Sequence, residues 1–215
     1  MKKLILSATA VLFTVGAFAQ TPGLGYGIKA GINIPTYHYS NDNNDWNNKS
    51  TTNFHITAYL DAPVTSMFYI QPGVSLQGKG SELNHTKSDQ GAYTETQNTM
   101  WIEVPVNAVL KFPTGDAGNF FIGAGPYLAF GISGENKYKY EGENSTSVQE
   151  TKFDFDKNGT QKGTDFGVNF LAGYQLNNGL TLGAGYGVGI SDIAPDNVDY
   201  KQNNRVLSFS VGYAL

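Results

Sequence analysis

The sequence predicts an all-β fold, an eight-stranded antiparallel up-and-down barrel that crosses a membrane with its strands. Three observations carry this prediction. Apolar and polar residues alternate in eight separate segments, short and long connections alternate between the segments, and the composition favours strands and turns, with 26 Gly, 13 Tyr and 13 Phe. The chain contains no Cys, so it has neither a disulfide framework nor a thiolate metal site.

The first 19 residues have the features of a secretory signal peptide. Two lysines precede an apolar run, and Ala17-Phe-Ala19 forms an A-x-A cleavage site before Gln20. We therefore expect residues 1–19 to be removed and residues 20–215 to form a single domain. The remaining chain holds 12 basic and 18 acidic residues, and it has no basic patch that would bind nucleic acid.

Each of the eight segments keeps its apolar residues on one parity, which is the period of a β-strand with one apolar face. The opposite parity is rich in Gly, Ser, Asn, Gln and charged residues. The apolar sets are Tyr26, Ile28, Ala30, Ile32, Ile34; Phe54, Ile56, Ala58, Leu60; Phe68, Ile70, Pro72, Val74, Leu76; Ile102, Val104, Val106, Ala108, Leu110, Phe112; Phe120, Ile122, Ala124, Pro126, Leu128, Phe130; Phe166, Val168, Phe170, Ala172, Tyr174, Leu176; Leu180, Leu182, Ala184, Tyr186, Val188, Ile190; and Leu207, Phe209, Val211, Tyr213, Leu215.

The fourth segment, TMWIEVPVNAVLKF at residues 99–112, also has polar residues at a helical spacing. Its Glu103, Asn107 and Lys111 recur every fourth position, which fits a helix and a strand equally well. Pro105 and the Val-rich composition favour the strand. Pro105 should lie at a similar depth to the prolines of the flanking strands, and we expect one local bulge or bend there.

The connections fall into two classes that alternate along the chain. Short, turn-rich connections follow the second, fourth and sixth strands at residues 61–66, 113–118 and 177–179. Long polar connections follow the odd strands at residues 40–51, 82–98, 133–163 and 191–204. An even strand count with this asymmetry is typical of an outer-membrane barrel with short periplasmic turns and long extracellular loops.

In such a barrel the apolar parity faces lipid and the polar parity fills the lumen, which is closed because unpaired strand edges are costly in hydrocarbon. We expect two aromatic girdles, an outer one from Tyr37, Tyr39, Phe54, Trp101 and Phe130 and an inner one from Phe68, Phe112, Phe120 and Tyr213. A soluble β-sandwich or lipocalin-like barrel, with the apolar parity packed inside, shows the same alternation and is the alternative.

The lumen parity collects charged and amide side chains that we expect to form one polar network. Buried charges must be paired or solvated, so the network is interpreted as a plug, with a narrow or gated ion path as the second possibility. Its predicted members are Lys29, Asp61, Gln71, Lys79, Glu103, Asn107, Lys111 and Asp165.

One long loop also contains a weak calcium motif. Asp154, Asp156, Asn158, Gly159 and Asp165 occupy positions 1, 3, 5, 6 and 12 of an EF-hand-type frame. Position 12 is normally a longer Glu and no flanking helices are predicted. The alternative is a simple hairpin turn at Asn158-Gly159, with strand extensions on either side.

The sequence gives little support for catalysis. Its three histidines are His38, His55 and His85; His38 lies near Ser40, and His85 near Glu82, without a motif that would fix their geometry. We therefore predict no enzymatic activity and no cofactor.

The segment Trp101-Ile-Glu-Val-Pro105, followed by Lys111-Phe112, resembles the leucine/isoleucine-Glu-isoleucine-Pro strand of the PorT-like outer-membrane β-barrel family common in Bacteroidota. The resemblance continues along the chain in Lys29-Ala-Gly31, Gln71-Pro-Gly73, Gly123-Ala-Gly-Pro-Tyr127 and Gly212-Tyr213. It implies an outer-membrane location and no particular activity.

Three functions follow as expectations. The first is a structural or surface-interaction barrel with a plugged lumen, whose extracellular ligand is unknown. The second is a small porin-like channel for ions or small solutes, and the third is a soluble periplasmic binding barrel. The expected partners are outer-membrane lipid, lipopolysaccharide and the outer-membrane assembly machinery.

Overall fold

The structure is a computed structural model that describes residues 23–40, 48–88, 91–141, 146–153, 155–156 and 159–215. The predicted signal peptide lies outside the described residues. Within the described ranges, no helix combines the length and the apolar character that crossing a membrane requires.

The described chain is almost entirely strand. Eight long strands form the wall of a barrel, and two short ones, β2 and β7, belong to the connections. The strands are β1 (Gly25–Ser40), β2 (Asn48–Lys49), β3 (Asn53–Pro63), β4 (Phe68–Ser88), β5 (Gly91–Pro113), β6 (Gly118–Glu141), β7 (Thr146–Lys152), β8 (Thr164–Leu176), β9 (Leu180–Gly189) and β10 (Lys201–Ala214).

The eight wall strands form a closed antiparallel ring. Each pairs with its neighbours in the order β1, β3, β4, β5, β6, β8, β9 and β10, and β10 pairs again with β1. A path from Lys111 of β5 that passes from each residue to its pairing partner goes once around the ring. It returns to β5 at Trp101, ten residues before its start. This stagger tilts the strands as closure of a barrel requires. The ring confirms the predicted fold class.

The apolar parity lies on the outside of the ring and the polar parity on the inside. Ile28 and Val106 are 56% and 43% exposed, whereas the inward Asn33 and Glu103 are 0% and 3% exposed. A soluble barrel would have the opposite arrangement, since its apolar face packs into a core. The soluble alternative is therefore wrong.

Three of the predicted girdle aromatics, Trp101, Tyr37 and Tyr39, have the inward parity of their strands. Trp101 and Tyr37 are buried inside the barrel, at 0% and 2% exposure. Both have the lumen parity of their strands, and strand position alone does not decide which face a side chain occupies. Phe54 is exposed on the outer face, as is Phe120 at the opposite end.

The three prolines interrupt strand pairing without shifting the register. Pro105 pairs with Tyr127 of β6, which is the residue next to Pro126. On its other side, Pro105 lies within one position of Pro72 on β4. On both sides of these prolines the paired residues keep the same offset. The expected bulge at this depth is therefore wrong: proline removes a donor but does not insert a residue. The β5–β6 register shifts instead between Met100 and Trp101.

One predicted long loop is strand instead. Residues 82–88 and 91–98 continue β4 and β5 as a paired hairpin, and β7 adds to the extended β6 over Glu135–Glu141. Apolar alternation fails to detect these extensions because, beyond the membrane, neither face of a strand must be apolar. Of the strand extensions expected over residues 137–140 and 152–156, the first is confirmed. The second is wrong, since β7 ends at Lys152 and Phe153, Phe155 and Asp156 lie outside the strands.

The opposite end of the barrel has the predicted short turns. They connect β3 to β4, β5 to β6 and β8 to β9. In the last of these, Gly179 has a φ of +91°, which only glycine adopts without strain. We call this the turn end and the other the loop end.

A lysine placed on the outer face tests whether that face contacts hydrocarbon. We expect Val106→Lys, in the middle of β5, to lower the free energy of unfolding in lipid vesicles by about 2–4 kcal/mol. Val148→Lys on β7 is the control, since Val148 is equally apolar and 51% exposed but lies beyond the barrel wall. Denaturant titration measures both, and equal small losses would contradict a lipid-facing wall.

Candidate functional site

The candidate site is the polar lumen, where the inward side chains gather around two lysines. We call the first group, formed by Lys79, Glu103, Asp165, Tyr127 and Asn204, the Lys79 cluster. The second, formed by Lys111, Asp61, Gln71 and Gln175, is the Lys111 cluster. Each cluster joins strands that are not neighbours in the ring, so both fill the barrel across its width.

Lys79 bridges two carboxylates. Its Nζ lies 3.2 Å from Glu103 Oε2 and 3.1 Å from Asp165 Oδ2, and all three side chains are at most 4% exposed. In a low-dielectric interior such pairs are compatible with folding only when the remaining polar atoms are also bonded. The carboxylate oxygens meet this condition, while Oδ1 of the adjacent Asn204 has no hydrogen-bond partner among the described residues.

Asp165 accepts four donors in total. Tyr127 donates its hydroxyl to Oδ2 at 3.0 Å, Asn204 donates Nδ2 to the same oxygen at 2.7 Å, and Ser191 donates its hydroxyl to Oδ1 at 2.7 Å. Lys79 Nζ is the fourth donor. Glu103 accepts a further bond from Asn169 Nδ2 at 3.0 Å. Donors from β4, β6, β8 and β10 therefore surround the two carboxylates.

Aromatic rings surround the ammonium of Lys79. Its Nζ lies 4.5 Å from the ring centroid of Tyr127 and 5.5 Å from that of Trp101, both within the range of a cation–π contact. Trp101 Nε1 donates to Thr99 Oγ1 at 2.8 Å. The rings exclude water from the ion pairs. The electrostatic attraction within each pair is stronger as a result.

Loop residues cover the Lys79 cluster at the loop end. Phe155 packs edge-on against Trp101 with ring centroids 5.1 Å apart, and Phe153 packs on Phe155 at 5.0 Å. Ile193 and Ala194, from the connection between β9 and β10, are buried. Ile193 O accepts a backbone bond from Lys162 N at 2.9 Å, joining the two loops. We call this layer the cap.

The Lys111 cluster lies nearer the turn end. Lys111 Nζ forms an ion pair with Asp61 Oδ2 and donates to Gln175 Oε1 at 2.9 Å. Gln71 Nε2 donates to the other oxygen of Asp61 at 3.0 Å. The ammonium also lies 4.4 Å from the ring centroid of Tyr69. This second cluster crosses the lumen from β3 to β8.

Two predicted members of the network lie outside both clusters. Asn107 is buried, yet its Oδ1 has no hydrogen-bond partner among the described residues. Lys29 forms no ion pair within the described part of the chain. Both side chains line a cavity of about 90 Å³ between the clusters. The structure thus brings six of the eight predicted residues into two bonded groups.

Sequence reasoning missed several contributors to the Lys79 cluster. Tyr127 interrupts the polar parity of β6, and Ser191 and Asn204 fall in a connection predicted as loop. Asn204 shares its parity with Ser208 and Ser210 on β10, and this is the signal that could have identified it. Ser191 has no such signal, because its position follows from how the connection folds back.

The calcium motif is split by the structure. Asp165 is wholly buried in the Lys79 cluster, Asp156 is exposed, and Asp154 and Asn158 lie outside the described residues. Across the described ranges, no group of three or more His, Asp or Glu side chains could hold a metal ion. Calcium binding here stays a prediction.

The histidines occupy unrelated environments. His38 is exposed at the loop end of β1, and the side chain of His85 lies outside the described residues. His55 is buried, with Nδ1 2.8 Å from Asn33 Oδ1. Asn33 Nδ2 donates to Gln77 Oε1 and Gly78 O, so its oxygen must accept from His55 Nδ1–H. His55 therefore has a structural role.

Removing Lys79 tests the energetic role of the cluster. We expect Lys79→Met to lower the free energy of unfolding by about 3–5 kcal/mol, because it leaves two buried carboxylates without a counter-charge. Lys137→Met is the control, since Lys137 and Glu150 form a half-exposed surface pair and its loss should cost at most about 1 kcal/mol. Urea unfolding in detergent micelles measures both, and similar losses would contradict the role given to Lys79.

A comparison with protein families agrees with this architecture. A model of the outer membrane protein beta-barrel domain matches residues 18–194. The attachment invasion locus protein Ail of Yersinia pestis aligns at 11% identity over 89% of this chain and 98% of its own, with a TM-score of 0.40. Neisserial surface protein A aligns at 14% identity over 87% and 96%, with a TM-score of 0.43.

The outer membrane protein OprG of Pseudomonas aeruginosa aligns at 12% identity over 89% of this chain and 95% of its own, with a TM-score of 0.39. A search of curated proteins found no match. The family model covers most of the chain and includes seven of the eight wall strands. The protein therefore belongs to the outer membrane protein beta-barrel domain family.

Proposed function

We propose that this outer-membrane β-barrel protein serves a structural or surface-interaction role through its loop end, with a lumen that does not conduct. Family membership implies the outer-membrane location. The observation that supports the proposal is the combination of an interior crossed by two bonded clusters with strands that extend past the barrel. The Lys79 cluster, the Lys111 cluster and the cap fill the lumen, so the loop end remains as the surface available to partners.

The extended strands form a polar sheet beyond the barrel. We call residues 82–88, 91–98, 135–141 and 146–152 the outer sheet. Seven residues of strand span roughly 24 Å, so the outer sheet stands clear of the barrel wall. Such a rigid projection presents side chains for binding more reproducibly than a flexible loop does.

Tyrosines make the outer sheet and the neighbouring loops suited to binding a partner. The rings of Tyr93 and Tyr138 stack with centroids 6.1 Å apart, and those of Tyr39 and Tyr200 meet edge-on at 5.4 Å. Tyr140 is 42% exposed. Tyrosine combines apolar contact area with a hydroxyl at low entropic cost, which suits it to recognition surfaces.

One edge of the outer sheet is also open among the described residues. β7 pairs with β6 on one side, and every residue of β7 is exposed. Open edges invite pairing with another strand. The proposed role therefore includes main-chain pairing with a partner segment as well as side-chain contacts.

The remaining partners are proposed on the same basis. Lipid contacts the apolar outer face, and the assembly machinery inserts the barrel. Arg205 lies at the loop end, where its Nη1 donates to Gly189 O at 2.7 Å, and its remaining donors suit lipopolysaccharide phosphates. The narrower PorT-like relationship and removal of residues 1–19 belong to this proposal as well. It includes no catalytic role and no cofactor.

A small ion channel is the second candidate function. The cavity of about 90 Å³ and the polar inner wall favour it, because a path would need only the two clusters to rearrange. The number of bonds that hold each cluster favours the plugged state.

The cysteine-free chain allows a direct test of orientation. We expect Ser147→Cys, on β7, to react with a membrane-impermeant maleimide on intact cells, because the loop end faces outward. Ser66→Cys, in the exposed turn between β3 and β4, is the matched control and should react only after the outer membrane is permeabilised. Labelling of Ser66→Cys alone on intact cells would contradict the proposed orientation.

Planar-bilayer recording separates the two functions. We expect no steady channels from the wild-type protein at low concentration, since two bonded clusters and the cap occupy the lumen. Steady conductance would overturn the plugged barrel and support the channel. Glu103→Gln then tests the network: it should lower the melting temperature of a plug or alter the conductance of a channel, and a variant unchanged in both would contradict either role.

A further inference from the structure

Lys29 differs from the other two lysines of the lumen. Lys79 and Lys111 are paired with carboxylates, but Lys29 has no carboxylate within ion-pair distance among the described residues. Its Nζ lies 5.9 Å from the ring centroid of Tyr59, a weak cation–π contact at most. The Glu103 carboxylate lines the same cavity but forms its ion pair with Lys79. The charge of Lys29 is therefore only partly compensated, and it attracts an anion.

The space beside Lys29 is a cavity lined by polar groups. We call the cavity of about 90 Å³ the chamber; it is lined by Lys29, Asn107, Ser208 and Ser210 among others. Within the described part of the chain, buried Asn107 Oδ1 has no hydrogen-bond partner, and the half-buried Ser208 and Ser210 line the same space. A polar chamber of this size holds several waters or one small anion.

Glycines on β9 create the room for the two hydroxyls. A Cβ at Gly185 would lie 2.7 Å from Ser208 Oγ, and one at Gly183 would lie 3.1 Å from Ser210 Oγ. These are also the residues that pair across β9 and β10. Glycine in a strand interior often marks a place that a ligand approaches closely. The two hydroxyls therefore line the chamber beside a part of β9 that carries no side chains.

The strand register brings Lys29 next to these serines. Lys29 pairs with Gly212, and Gly31 pairs with Ser210, so Ser210 is a diagonal neighbour of Lys29 on the inward face. Diagonal neighbours have Cα atoms about 7–8 Å apart, which a lysine side chain spans. The Lys29 ammonium and the Ser210 hydroxyl can therefore converge on one ligand, and Ser208 lies two residues further along the same inward face.

We propose that the chamber binds a small anion, chloride or phosphate in size, held by Lys29 Nζ and the hydroxyls of Ser208 and Ser210. The other lysines of the lumen, Lys79 and Lys111, are already paired with carboxylates, and His55 Nδ1 is already bonded to Asn33 Oδ1. The bound anion neutralises the unpaired lysine and accepts hydrogen bonds from the serine hydroxyls. This site exists whether the barrel is plugged or conducts.

Bromide is the probe, because it resembles chloride and is located by anomalous diffraction. In crystals of the full-length barrel grown with sodium bromide, we expect an anomalous peak within hydrogen-bond distance of Lys29 Nζ. In detergent, replacing gluconate by bromide at constant ionic strength should raise the melting temperature saturably, by about 5–10 °C at a hundredfold excess over Kd.

Two substitutions of lysine provide the comparison. Lys29→Met should fold, since it removes an unpaired charge, and should lose both the peak and the saturable rise. Lys201→Met, at an exposed position of β10, should keep both. If Lys29→Met does not fold, the double variant Ser208→Ala/Ser210→Ala is the test instead. In that variant bromide should raise the melting temperature by less than in the wild type. A wild-type crystal without the peak, or an undiminished rise in these variants, overturns the proposal.

Discussion

Closure of the backbone hydrogen-bond ring is the constraint on which the rest of this structure depends. In hydrocarbon no water can satisfy a free strand edge, so β1 must pair with β10, and it does so over fourteen residue pairs. Every wall strand then has two neighbours, and each inward side chain faces a shared interior. The prolines show how strict the constraint is. Each removes a single donor, the register continues unchanged on either side, and the ring stays closed.

The narrow interior imposes the second set of conditions. Eight strands leave a lumen that side chains nearly fill, so any charge placed there must find its partner within the barrel. The large polar side chains come mainly from β3, β4 and β5, while β9 contributes mostly glycine. This uneven filling explains why two lysines are bonded across the width and why a chamber remains beside Lys29. Stability and a binding site thus arise from the same distribution of side-chain size.

Beyond the membrane these conditions relax. Strand pairs in water need neither an apolar face nor a closed ring, so β4, β5 and β6 extend as an open polar sheet with β7 at its edge. The change from a closed ring to an open sheet separates the part that spans lipid from the part that meets the surroundings. The cap lies at this boundary, where loop residues pack over the Lys79 cluster.

The sequence by itself determined the strand count, the order of turns and loops, and the face that each wall residue occupies, because these follow from local alternation. It also identified the lumen residues Lys79, Glu103, Lys111 and Asp165, since parity assigns them to the interior. Tertiary structure decided which of them meet. Asp165 lies 86 positions from Lys79, and their contact depends on the stagger of the ring. Ser191 joins the Lys79 cluster because of how its connection folds back, and this position in space is not encoded in the local pattern. Trp101 and Tyr37, by contrast, occupy the inward face that the parity of their strands assigns.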